Sequence, residues 1–517
     1  MGIQPEGERV IGMVETLDRL AWRVLAVGVL LLAFSAVAIY AQQAPRELTL
    51  DEAIDLAKGN NPTFLSTQND QAAANWQARE AYAQFLPTVS VGLGGTWQQA
   101  GVQRFGTVEL AQQATDWLYS GYSVNFNMTI DGNTIFGIPN ARANKRATGA
   151  RIDAAEFSLE STVALQYMTV LRAQDGVDVA QRQLDRARQN LQIVGTRVET
   201  GAVAGTEGKQ AEVDLGRAEV GLIQAQRDLR QARLLLSEQI GAALEDDVTL
   251  SSEFTVFDPD FDVAELLSAS QDEHPSLNAF RAQEDASRAA ARQMSTSQYL
   301  PSLSLNASVR GQAQEALNQD FVEGQVMSQA ANRVSSCEYN NELNNRIPGG
   351  LPEYEVQDCS RFAAGPGDVQ EALAANNAFP FDFTPFPTQV SAQLSLPIFT
   401  GFSRQRQVSE ANNQAEDAEH DRRAEELRLR TMVTNTFDNL NTAYEVVQAE
   451  SRNRTLAEEQ LLLQQRRYAL GAADLLILMD AQTSMSTAEQ AYLDAVYDFH
   501  YNLIALEAAV GRTLRSR

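Results

Sequence analysis

Phe85-Leu86-Pro87-Thr88-Val89-Ser90-Val91 returns 214 positions later as Tyr299-Leu300-Pro301-Ser302-Leu303-Ser304-Leu305. Each copy is an aromatic residue, a Leu-Pro step and a run in which apolar side chains take every second place, the period of a half-buried strand. Pro87 and Pro301 therefore mark two entries from helix into strand. Upstream, Leu48-Thr49-Leu50-Asp51-Glu52-Ala53 leads to Asn61-Pro62-Thr63, and Asp262-Val263-Ala264-Glu265-Leu266-Leu267 leads to His274-Pro275-Ser276, with the two prolines 213 apart. Downstream, Arg197-Val198-Glu199-Thr200-Gly201 pairs with Arg467-Tyr468-Ala469-Leu470-Gly471. Leu236-Ser237-Glu238-Gln239-Ile240-Gly241 pairs with Leu506-Glu507-Ala508-Ala509-Val510-Gly511. Both glycine pairs are 270 apart. The chain is read as an internal duplication, with a first repeat over 42–255, a second over 256–511 and a tail over 512–517. The offset grows by 56, which assigns the second repeat an insertion, placed at 312–388.

Each repeat carries two strand signals. Val89 to Leu93 and Tyr122 to Ile130 alternate in the first, Leu303 to Val309 and Val390 to Ile398 in the second. One face of each is apolar; the other is small, polar and almost uncharged. A sheet in a soluble sandwich fits that pattern. So does a membrane barrel wall, apolar toward lipid and polar toward a wet lumen. Aromatic residues near the strand ends favour the wall: Trp97, Trp117, Tyr119 and Tyr122, then Phe379, Phe381, Phe383 and Phe386. They stand where an interfacial girdle would stand.

Long helices follow the strands. Val177, Ala180, Leu184, Ala187, Leu191, Val194 and Val198 keep a 3,4 spacing, as do Leu215 to Leu236 and Met485 to Leu506. That is a heptad seam, and alternating Ala with larger residues lets helices approach closely. No proline interrupts about 140–200, roughly 90 Å of helix at 1.5 Å per residue; about 404–470 is similar. The turns are expected near 201–206 and 471–474, with Gly201 and Gly471 at the hairpin tips. An ordinary coiled-coil scaffold would explain the heptads but not their splicing, twice, to amphipathic strands.

Four strands leave two open edges, which lipid does not tolerate, and are too few to close, since barrels start at about eight. Several copies must share one barrel; three would give twelve strands. The residues by themselves lead to a mixed α and β membrane protein, four strands per chain, with strands pooled between copies and two long helical hairpins in each.

The 517 residues carry 41 Lys and Arg against 67 Asp and Glu, a net charge of −26, which argues against nucleic acid as a partner. Two Cys and the scattered His274, His420 and His500 give no metal-binding spacing. Nucleotide-motor and common hydrolase motifs are absent, and no nucleophile, base and oxyanion set converges. Neither an enzyme nor a cofactor is expected. Val24 to Ala38 is an apolar run following Arg19 and Arg23 and closed by small residues. It reads as a signal peptide over 1–41 cleaved near Ala41, with Met13 as an alternative start and an N-terminal anchor helix as the competing reading. No Cys near Ala41 offers a lipid-attachment point.

The sequence resembles the TolC family of outer-membrane efflux ducts. The resemblance runs from about Leu48 to Gly511. Its carriers are Leu48-Thr49-Leu50-Asp51-Glu52-Ala53-Ile54 with Asn61-Pro62, the twin Leu-Pro steps, and Arg467-Tyr468-Ala469-Leu470-Gly471 with Leu478-Met479-Asp480-Ala481-Gln482. It implies the full fold class, a trimeric twelve-stranded outer-membrane β-barrel, four strands per chain, continued by a long α-helical coiled-coil barrel: a homotrimer in the outer-membrane lipid, with the helical domain in the periplasm. The implied role is an exit duct, passively passing substrates from an inner-membrane transporter and a periplasmic adaptor in efflux or type I secretion. It also implies a periplasmic gate. Asp480 takes one position of the family's acidic constriction, while the acidic position three residues earlier is Ile477. Tyr468 matches a latch tyrosine, and Glu207, with Thr206, falls at its acidic partner site. A latch arginine would stand at Ala473, so the latch is incomplete on this reading. Asp480 can equally be a solvated carboxylate near a helix start.

The insertion joins the third and fourth strands on the side opposite the helices, hence outside the cell. It holds the only cysteines, Cys337 and Cys359, expected to form an intrachain disulfide in an oxidising compartment; free thiols and bridges between protomers are the alternatives. It is rich in Asn, Gly and Pro and reads as a segment with little apolar periodicity. The competing function is an envelope-spanning structural tether or adhesin that conducts nothing.

Overall fold

The computed structural model describes residues 47–105, 108–113, 115–244, 248–250, 254–349 and 355–514. The expected signal peptide lies outside them, as do the last three residues of the tail. Among the described residues no helix is long and apolar enough to cross a membrane. The described chain divides into two compact units.

One unit comprises 62–161, 258–443 and 502–514. Its sheet is antiparallel, in the order β2 (Thr88–Gln98), β5 (Trp117–Ile130), β7 (Ser302–Ala316) and β9 (Gln389–Ser395), with the short β8 (Thr384–Pro385) also on β7; between β2 and β5 in the chain, β3 (Gly101–Phe105) and β4 (Val108–Gln113) pair with each other. β2 and β7 begin directly after Pro87 and Pro301, residues that cannot donate to a ladder and so stand at strand starts. Register puts like residues together. Val89, Phe126, Ala307 and Val390 lie in one row, Val91, Val124 and Val309 in the next, and Met128, Leu305 and Ala392 in a third. The alternate rows read Ser90, Asn125, Ser308, Gln389 and Thr88, Asn127, Asn306, Ser391. Directly paired residues share a face, so the sheet has one apolar face and one polar face across all four strands. The apolar face is bare: Leu93 is 77% exposed and Val390 76%. Among the described residues β2 pairs only with β5, and β9 only with β7, so both outer edges are open. The strand expected to reach Ile398 stops at Ser395, because Pro397 has no N–H to give and its carbonyl is taken by Arg404.

Helices α2 (Pro62–Ala83) and α6 (Pro275–Ser297), which follow the short helices α1 (Leu50–Asn60) and α5 (Val263–Glu273) in the chain, deliver it to β2 and β7. α6 packs through Ala286 against Ala143 and Ala147, an all-alanine contact. Gly132 is required here: a Cβ on it would lie 2.3 Å from Ser297 Cα. The buried Glu284 is held by Arg422 and Arg288. His274 caps α6. Its Nδ1 accepts the Ser276 N–H at 3.1 Å, and its Nε2 lies 3.0 Å from the Ala508 carbonyl.

The insertion departs from expectation. β7 runs on to Ala316, and helices follow over Gln319–Arg346 (α7) and Pro366–Asn376 (α8), with a 3₁₀ turn at Cys359–Phe362. Local chemistry supplies what apolar periodicity does not. Asn318 and Asp358 accept the N–H groups of Asp320 and Ser360, Pro366 opens α8, and a disulfide joins Cys337 to Cys359 with Cα atoms 5.6 Å apart.

The other unit comprises 47–61, 162–244, 248–250, 254–257 and 444–501. β1 (Glu47–Leu48) pairs in parallel with β6 (Thr249–Leu250). The Tyr167 hydroxyl donates to the Leu48 carbonyl at 2.7 Å. Four long helices supply most of the rest, α3 (Gly132–Glu199) from 162 on, α4 (Gly205–Ile240), α9 (Ser403–Ala469) from 444 on and α10 (Leu475–Val510) up to 501. α3 begins before the proline-free stretch and holds Pro139 as its eighth residue, beyond the first turn whose N–H groups have no helical partner, so one i→i−4 bond is absent there. No residue of the three heptad seams is exposed; Leu184, Val194, Leu236, Met485 and Phe499 are buried.

Candidate gate at the hairpin tips

Both long hairpins turn by the same device. Gly201 and Gly471 have φ of 73° and 75°, the left-handed conformation glycine adopts without strain. The Gly201 N–H reaches the Val198 carbonyl and the Ala202 N–H the Arg197 carbonyl; Gly471 and Ala472 do the same to Tyr468 and Arg467. These are paired Schellman closures. α4 starts at Gly205, so Thr206 and Glu207 sit in its first turn, where a carboxylate is favoured by the helix dipole.

The tips meet through Tyr468, 1% exposed. Its hydroxyl donates to Glu207 Oε2 at 3.1 Å. The Arg197 guanidinium lies 4.3 Å from its ring centroid and donates to its main-chain carbonyl at 2.7 Å. Burial, and after it the Glu207 carboxylate, push the Tyr468 hydroxyl above its ordinary range, so it remains a donor. Val194, Ala211, Leu461, Leu475, Leu478, Ala481 and Met485 form the apolar bed beneath, with Ala473 and Val198 at its margin.

The structure thus brings Tyr468 and Glu207 together and leaves the other residues apart. Thr206 is exposed and its side chain bonds to no described residue. Asp480 is exposed on the second turn of α10, also without a partner among the described residues. Ala473 offers no charge; the cation against the Tyr468 ring comes from the other hairpin, as Arg197. Sequence reading missed it. The signal was the Arg197/Arg467 repeat four residues before each turn glycine, where a cation suits a helix C-terminus.

Further up the same unit, α3 and α10 are joined by polar pairs. The Tyr497 hydroxyl donates to Asp175 Oδ2 at 2.6 Å, Arg172 to Asp494 at 2.7 Å, and Arg186 to the buried Glu489. Burial, and then Asp175, drive the Tyr497 hydroxyl far above its ordinary range. A groove of about 650 Å³ runs beside them, lined by Arg182, Arg186, Arg454, Glu489 and Tyr492 among others. Among the described residues no group of three or more His, Cys, Asp or Glu is arranged to hold a metal ion.

With this geometry in view, the comparisons decide the family. The family model for outer membrane efflux proteins matches residues 53–242 and 384–512. The chain belongs to the outer membrane efflux protein family. The outer membrane protein TolC of Escherichia coli (strain K12) is 22% identical over 461 residues, covering 88% of this chain and 80% of that protein. Two solved channels share the fold. The Campylobacter jejuni CmeC outer membrane channel superposes with a TM-score of 0.65 at 14% identity, covering 89% of this chain and 85% of its own. The open state of the Neisseria gonorrhoeae MtrE outer membrane channel gives 0.62 at 19% identity, covering 90% and 89%. The chain is a TolC-like efflux channel protein of the outer membrane. Residues 243–383, which include most of the insertion, lie outside the stretches the family model matches.

Proposed function

We propose that three copies assemble into one exit duct, closing a twelve-stranded barrel above a helical barrel. The duct passively conducts substrates delivered by an inner-membrane transporter through a periplasmic adaptor. The observation that carries this reading is the four-stranded sheet, with apolar rows on one face, polar rows charged only at Arg310 on the other, and two open edges among the described residues. An open edge in lipid leaves backbone groups unsatisfied at several kcal/mol each, so each edge needs the edge of another copy. A tether or adhesin would have no use for a wet inner face. Within the duct, the Tyr468, Glu207 and Arg197 cluster holds the two tips of one protomer closed, and Asp480 projects toward the axis as part of a constriction. Planar-bilayer recording tests the duct: discrete channels are expected from the purified protein, and a trimer by native mass spectrometry in mild detergent. Stable monomers, or trimers that insert without conducting, would overturn it.

A further inference from the structure

The face of the sheet on which the insertion's return limb lies is fixed by register. Ser120 stands directly opposite Ala313, and Tyr122 opposite Gly311. Both belong to the rows of Val124 and Phe126, the apolar face. The Ser120 hydroxyl donates to the Pro380 carbonyl at 2.7 Å. The Phe383 ring meets the Tyr122 ring edge-on with centroids 5.2 Å apart. The Tyr122 ring lies across Gly311, where a Cβ would come within 2.4 Å of it. Phe381 packs on Phe383 at 6.4 Å and is otherwise bare, 81% exposed. Residues 379–383 thus cross the apolar face of the wall, and only beyond β8 does Phe386 meet Arg310 of the polar register.

We propose that residues 379–383 are seated in the outer leaflet of the outer membrane, with Phe381 and Phe383 among lipid acyl chains, anchoring the disulfide-stapled insertion to the bilayer. The proposal rests on the reading that the apolar face meets lipid. Height supports it. Strands tilted by about 40° climb roughly 2.6 Å per residue. Counted from Ile130, Tyr122 is then about 21 Å up a hydrocarbon band about 25 Å tall. That places the limb at the upper margin of the band, where amphipathic and aromatic groups collect and the exposed Asp382 can reach the headgroups. Lateral position favours lipid over a second copy as the occupant. The limb's contacts, Ser120 and Tyr122, lie on β5, inside both edges, whereas a neighbouring copy would join at β2 and at β8 and β9.

Nitroxide labels test this in phosphatidylcholine vesicles. Cys337 and Cys359 are bonded to each other and take no label. Phe381→Cys is compared with Leu93→Cys on the bare apolar face and Gln325→Cys on the exposed side of α7. The ratio of oxygen to nickel-chelate collision should be several-fold higher at 381 than at 325, and close to that at 93. A label at 381 that meets nickel as freely as 325, while 93 remains in lipid, overturns the anchor alone. Nickel access at 93 as well overturns the lipid-facing sheet and the anchor with it. The unmodified protein gives an independent reading in vesicles carrying a diazirine on the acyl chain. The peptide holding 379–383 should be labelled; labelling of β2 without it overturns the anchor.

Discussion

The Tyr468 hydroxyl donates to Glu207, and the Arg197 guanidinium lies against the same ring from the first hairpin's other helix. One aromatic side chain thus ties three helix ends together at the point where both hairpins turn. A hydrogen bond to a charged acceptor contributes about 1.5–3 kcal/mol. Tyr468→Phe should therefore raise the open fraction of single channels by roughly tenfold or more, leaving the Arg197 stack in place. Single-channel recording checks it, and an unchanged open fraction would show that the tyrosine packs without latching.

Arg197→Met keeps the bulk of the side chain but removes its charge and the bond to the Tyr468 carbonyl. A cation over an aromatic ring contributes about 0.5–2 kcal/mol. The open fraction should rise, and combining the variant with Tyr468→Phe should give less than the sum of the two effects, since both act on one ring. Strict additivity in this double-mutant cycle would separate the two contacts.

Asp480 stands exposed and unpaired among the described residues. In a threefold assembly three such carboxylates would repel one another and attract multivalent cations in a narrow site. Ile477 and Ala473 add no charge, so block by a trivalent cation from the periplasmic side should be partial. Asp480→Asn should weaken it. Equal block in the variant would remove Asp480 from the constriction.

The disulfide closes a 22-residue separation, for which the loop-entropy model gives about 3 kcal/mol. Replacing Cys337 and Cys359 by Ser should increase hydrogen exchange across α7 and α8 and leave the trimer intact, because the four strands are paired by their own ladders. Loss of the trimer would show that the insertion takes part in assembly.

His274 caps α6 as a neutral ring, because Nδ1 accepts the Ser276 N–H and the proton therefore sits on Nε2, toward Ala508. Burial holds its pKa below the ordinary value. The stability it contributes is present above the unfolded value, near 6.5, and is lost as pH falls through the lower folded value. The neighbouring Glu425 carboxylate, bonded first to Arg428 and then to Ser276, is also held low, and its contribution goes at more acid pH. Exchange protection at the start of α6, corrected for intrinsic rates, should fall as pH drops below the ordinary histidine value, near 6.5. His274→Asn, which can accept the same N–H without titrating, should flatten that dependence. A wild-type profile that is already flat would contradict the neutral cap.

Much of the architecture is legible in the chain because it depends on neighbours in sequence. Alternation at 89–93 and 122–130 makes strands, the 3,4 spacing makes helices, and Gly201 and Gly471 turn them, since only glycine takes a left-handed φ without strain. The repeat at offsets of 214 and 270 fixes the order of elements. The helices of the insertion escaped sequence reading because caps and a disulfide, rather than apolar periodicity, define them. Only the tertiary structure decided which partners meet. Arg197 reaches Tyr468 across 271 positions, and Ser120 reaches Pro380 across 260. Such contacts depend on how helices are rotated against each other and on which residues of two strands stand opposite. A one-residue slip in that register would move the return limb from the apolar face to the polar one, with no local signal in the sequence to reveal it.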